Sequence, residues 1–124
     1  MTEAEVIITV MPDYGMGPYA WEKPSNDKTP YVGICIATAV DKLETEDGTT
    51  ITDALHAAFV TWTGDFEQFA EKSDFDWNGF HTRGIVLSQN LKLELGKRFK
   101  VFYHKPFEDP GHEVDAYTDI SGAA

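Results

Sequence analysis

The sequence predicts an α+β fold: a single domain with a three- to four-stranded, mainly antiparallel sheet and two helices packed on one face. Three observations predict it. Short runs rich in β-branched and aromatic residues lie at 6–11, 31–40 and 99–104. Two segments with apolar residues at helical spacing, led by Leu55 and Trp77, stand together before the third run. Strands and helices therefore come in blocks and do not strictly alternate, which is the α+β pattern. The length of 124 residues suits one domain, and 8 Phe, 5 Tyr and 3 Trp supply a core.

The first run, Val6 to Met11, ends at Pro12 and is apolar on both of its alternating faces. That marks a strand internal to the sheet. Pro12, Pro18, Pro24 and Pro30 then forbid a continuous helix, so 12–30 reads as a long connection. Its Tyr14, Tyr19 and Trp21 are expected to fold down over the core. Tyr31 to Val40 is nearly continuously apolar and reads as a central strand buried on both faces, with Cys35 a buried structural thiol. The polar link 41–50 contains the turn signal Asp47-Gly48.

Thr52 is the expected N-cap of the first helix, with Asp53 favoured in its first turn. Leu55, Phe59, Trp62, Phe66 and Phe69 recur at steps of 4, 3, 4 and 3, a core stripe. Asp74 is the expected cap of the second helix. There Trp77, Phe80, Gly84, Leu87, Leu91 and Leu95 share a face, and Gly96 is the stop. Phe99 to His104 is the third strand. Residues 1–105 form the expected domain, and 106–124 an acidic, exposed tail with room for one short edge strand near Glu113–Thr118.

Asp13-Tyr14-Gly15 and Pro18-x-x-Trp21 follow the first strand. Leu91-x-x-Glu94-Leu95-Gly96 and Val101-x-Tyr103 come near the end. In these motifs, over residues 6–104, the chain resembles a loose group of small uncharacterised bacterial proteins. The resemblance implies a bacterial cytosolic domain and carries no activity or ligand.

Charge narrows the function classes. The formal net charge is −11, from 10 Lys+Arg against 21 Asp+Glu. Phosphate binders neutralise their ligand with Lys and Arg, so the composition argues against nucleic acid. No apolar run approaches the ~20 residues of a membrane span, and Met1–Glu5 has no basic signal-peptide start. A cytoplasmic location is expected. Residues 41–76 carry ten acids and two bases, whereas 77–105 carry one acid and six bases.

No catalytic residue, cofactor or metal is assigned. Gly15-Met16-Gly17 lacks the third glycine and the helix start of a nucleotide loop. His104, Glu108, Asp109, His112, Glu113 and Asp115 cluster in sequence but match no ligand spacing, and Pro106 and Pro110 bar a regular helix. His56 and His81 have no nucleophile at a productive spacing; Ser88 lies two helical turns from His81. The candidate binding residues are Asp13, Tyr14 and Trp21 in the glycine-rich loop, and Asp65 and Glu67 in the acidic stretch. The leading expectation is a non-enzymatic acidic domain, immunity- or antitoxin-like, that binds and inhibits a basic protein. The alternative is a small-ligand binder or modest enzyme that uses the 12–30 loop.

Overall fold

The computed structural model describes residues 6–114 and 116–120. In chain order the elements are β1 (Val6–Val10), β2 (Ala20–Pro24), β3 (Ile34–Ala37), α1 (Asp53–Phe69), α2 (Trp77–Leu95), β4 (Phe99–His104) and β5 (Tyr117–Ile120). They form an α+β fold with one five-stranded sheet in the order β3-β2-β1-β4-β5. The central pair β1–β4 is parallel, and β1–β2, β2–β3 and β4–β5 are antiparallel. The helical hairpin between β3 and β4 is the crossover that makes a parallel pair possible.

β1 is internal, as its two apolar faces predict. Register places Val6, Ile8 and Val10 beside Phe99, Val101 and Tyr103. These side chains meet Leu55, Phe59, Trp62 and Phe66 of α1 and Phe80, Leu91 and Leu95 of α2 in one core. Trp62 stacks on Phe80 with ring centroids 4.5 Å apart, and its Nε1 donates to Phe80 O at 3.0 Å. Gly84 explains how closely α2 approaches. A Cβ there would lie 2.5 Å from Tyr103 Cε1 and 2.6 Å from Trp62 Cζ2, so only glycine fits without repacking.

The caps obey local rules. Thr52 Oγ1 accepts from Leu55 N at 3.2 Å. The cap of α2 is Asp76, not Asp74, and its Oδ1 accepts from Gly79 N at 3.0 Å. Both aspartates suit the role by type, and the start of the helical turn decides between them. Gly96 ends α2 with φ 90°.

Five expectations need correction. The sheet expected to be mainly antiparallel is mixed, because its central pair β1–β4 is parallel. Five strands stand where three or four are expected, because the 12–30 connection contains β2. Its prolines bracket the strand: Pro24 ends it, where a missing N–H costs least. The 31–40 run is not a central strand. Only Ile34–Ala37 is extended, at the sheet edge, and Ile34 is 69% exposed. Cys35 is accordingly half-buried, not buried. Finally, 106–120 is largely exposed but not a free tail, and the edge strand expected near 113–118 is β5, at Tyr117–Ile120. β5 pairs with β4, and Asp109 and Ile120 are buried. Asp115 and 121–124 lie outside the described residues.

Candidate functional site

The chain leaves β1 at Met11 and turns back into β2 through a loop with three consecutive left-handed residues. Gly15, Met16 and Gly17 have φ of 90°, 65° and 63°. Such backbone is unfavourable for a side chain, so Met16 needs outside support. The support is specific. Met16 O accepts from Ala39 N at 2.8 Å, and Gly17 N donates to Glu67 Oε1 at 2.6 Å. A Cβ on Gly17 would lie 3.0 Å from Ala39 Cβ. The loop is thus clamped between α1 and the segment after β3.

This clamp presents Tyr14. Its ring packs on Phe66 with centroids 4.9 Å apart, yet the residue is 38% exposed. Asp13 Oδ1 accepts from Tyr14 N at 2.8 Å, fixing the turn. Partial burial raises the Tyr14 pKa, and the negative charges of Glu71, Glu108, Asp13 and Glu67 raise it further. The negative charges of four carboxylates from three chain segments therefore act on one exposed ring. Among the described residues, none of the four pairs with a lysine or arginine. An electron-rich ring face amid uncompensated negative charge attracts a cation.

The structure brings Asp13, Tyr14 and Glu67 together and separates Trp21 and Asp65 from them. Trp21 lies opposite Thr9, on the sheet face away from the helices, and its Nε1 donates to Met11 O at 3.0 Å. Asp65 Oδ2 pairs with Arg83 at 3.0 Å instead. Glu71 and Glu108 complete the patch, and sequence reasoning did not select them. Glu71 lies four residues beyond Glu67, in the turn just past the end of α1, a spacing visible in the sequence. Glu108 had no such signal, because it arrives through the tertiary fold.

A second polar cluster is buried. His81 Nδ1 bonds Tyr103 OH at 2.6 Å, and His81 Nε2 bonds Asp109 Oδ2 at 2.6 Å. Asp109 Oδ1 also accepts from Gly111 N at 2.8 Å. Burial pushes the Asp109 carboxyl up, but the bonds from His81 and Gly111 and the charges of His81 and Lys105 outweigh it, and its pKa is lowered. Burial, then the Asp109 charge, drives the Tyr103 phenol upward. The Asp-His-Tyr order has the form of a proton relay, but Tyr103 is 1% exposed, so no substrate reaches its hydroxyl. Ser88 Oγ donates to Gly84 O and takes no part. The cluster ties the 105–112 loop to α2 and β4.

His56 Nδ1 bonds Tyr19 OH at 2.9 Å. Of the acidic and histidine cluster considered for metal, Asp109 goes to His81, and His104 and His112 bond backbone carbonyls. Among the described residues no three His, Cys, Asp or Glu side chains are grouped to hold a metal ion, and no helix is long and apolar enough to cross a membrane. No protein-family model matches the chain, and neither curated proteins nor solved structures match it significantly.

Proposed function

We propose that this protein is a non-enzymatic binder of a basic protein, acting as an immunity- or antitoxin-like inhibitor in the cytoplasm. One observation carries the reading: an exposed Tyr14 on a clamped loop that feels the negative charges of Asp13, Glu67, Glu71 and Glu108, none of which has a lysine or arginine partner among the described residues. An aromatic anchor among carboxylates suits a lysine or arginine of the partner. The rim charges speed encounter more than they add affinity, so binding should weaken as salt rises. The net charge of −11 works in the same direction and against nucleic acid.

The test is affinity capture from a bacterial lysate at low and high salt, with wild type beside Tyr14→Ala/Glu71→Gln/Glu108→Gln. A basic protein held at low salt, released by salt and lost with the triple variant supports the reading. Capture that ignores both salt and the variant overturns it. Asp53→Asn, remote from the patch, is the control.

A second reading, a small-ligand binder, has its own observation. Lys23 and residues 28–32 flank a cleft of about 330 Å³ over Ile7, Thr9, Phe102 and Tyr117. That volume is at the lower end for ligand sites. Thermal shift against a ligand panel tests it. Stabilisation that is lost on Tyr117→Ala would favour this reading, and Asp13→Ala should leave it intact.

A further inference from the structure

A larger cleft, of about 610 Å³, opens at the other end of β1 from the Tyr14 loop. Its lining includes Val6, Pro24, Ile34 and Ile36, which make an apolar floor, and Glu22, Glu44 and Glu46. Size and lining fit a pocket that takes a small molecule with an apolar body and few polar contacts.

The walls are held in place. Glu46 N donates to Glu22 Oε1 at 3.0 Å, joining the β2 wall to the 44–50 turn. Glu44 N donates to Ile36 O at 3.2 Å, and Glu44 bridges to Thr50. Inside the turn Asp47 accepts from Thr49 N and Oγ1 at 3.1 and 2.8 Å, and also bonds Thr45 and Arg98. The cleft is thus preformed, which lowers the cost of binding.

Acid outweighs base along its walls, with Glu22, Glu44 and Glu46 against Lys23. No lysine or arginine among the described residues pairs with Glu22, Glu44 or Glu46. Lys23 also lines the cleft, but its Nζ is held on Thr29 O at 2.8 Å. Burial raises the Glu22 pKa, and the neighbouring Glu46 and Asp47 charges add to it against the bond from Glu46 N. A cation in the cleft would relieve this, and an anion would aggravate it.

We infer that the cleft between β2, β3 and the 44–50 turn binds a free aliphatic amine, its methylene chain on Val6, Pro24, Ile34 and Ile36 and its ammonium on Glu22, Glu44 and Glu46. The site does not overlap the Tyr14 patch, so the two readings stand or fall separately.

The experiment is methyl-detected NMR titration of the full chain with n-pentylamine and cadaverine, with pentanol and pentanoate as controls. Expected are saturable shifts at Val6, Ile34 and Ile36, with the Met16 methyl in the Tyr14 loop unmoved. Pentanol should bind about tenfold more weakly than pentylamine, and pentanoate should not bind. Glu22→Gln keeps the acceptor for Glu46 N, so the wall stays intact. Combined with Glu46→Gln it should weaken amine binding about tenfold while the backbone spectrum is retained. Equal affinity for amine and alcohol, or no response to the double variant, overturns the inference. So does a response only to a lysine-bearing peptide, with none to the free amines.

Discussion

His81 Nε2 and Asp109 Oδ2 are 2.6 Å apart and almost closed to water, although 28 residues separate them in the chain. This bond fastens the segment after β4 to the N-terminal part of α2. Replacing Asp109 by Asn keeps the shape and removes the charge that holds the imidazole. The loss should be about 1–3 kcal/mol, the cost of weakening a buried, charge-assisted bond. The Asp109 pKa is lowered in the fold. Its contribution is therefore present above the ordinary aspartate value of about 3.9 and lost as pH falls through the folded value. Urea unfolding at pH 7 and in the acid range should show a smaller acid loss in Asp109→Asn than in wild type. Equal losses would refute the assignment.

His104 should act in a higher pH window. Burial lowers its pKa, the bond to Lys105 O opposes that, and His112 lowers it again. The fold favours the neutral ring, so stability is present above about 6.5 and falls as pH drops through the folded value. His104→Gln should flatten the stability profile there. NMR titration of the ring protons would give the folded pKa directly, and a value above 6.5 would contradict the prediction.

The same substitution at two glycines should act in opposite directions. Gly84→Ala drives a methyl into Tyr103 and Trp62, and overpacking of this kind costs about 1–3 kcal/mol. Gly64 is also helical, and a methyl placed there would meet nothing within 4 Å. Gly64→Ala should stabilise by about 0.5–1 kcal/mol through helix propensity. Thermal melts of the pair decide the point; stabilisation by Gly84→Ala would show that the packing there is not tight, and destabilisation by Gly64→Ala would refute the propensity gain.

Gly17→Ala tests the clamp on the Tyr14 loop. The left-handed backbone and the contact with Ala39 should together cost about 1–2 kcal/mol. The diagnostic readout is local. The Phe66 ring shifts in NMR should change as Tyr14 moves off it, while the Trp62 and Phe80 signals stay in place. Unchanged Phe66 signals would mean that the clamp does not position Tyr14.

Thr52 joins both helices. Its Oγ1 caps α1 through Leu55 N, and its N and Oγ1 both donate to Glu94 of α2, at 2.8 and 2.9 Å. Thr52→Ala should cost about 1 kcal/mol as a lost cap. In a double-mutant cycle with Glu94→Ala the two losses should fall short of adding, because both remove the same contact. Full additivity would argue against it.

Local chemistry determined what depends on neighbours in sequence. The stripe from Leu55 to Phe66, the Thr52 cap, the Gly96 stop and the two-faced apolar run of β1 were all legible, because helical and strand periodicities are properties of adjacent residues. Tertiary structure decided the remainder. β2 was hidden by the prolines on either side, since pairing with β1 and not composition makes it a strand. The 31–40 run is as apolar as a central strand, yet nothing local tells it that the 44–50 turn will occupy its outer side. Asp13 and Tyr14 belong to one loop and Glu67 to the acidic stretch, and the bond from Gly17 N to Glu67 joins that loop to α1. Trp21 belongs to the same connection but faces the other way, because alternation along β2 turns its side chain through the sheet. Glu108 joins the patch and Asp109 the core although they are adjacent, and the path of the chain between β4 and β5 sends one to solvent and the other to His81.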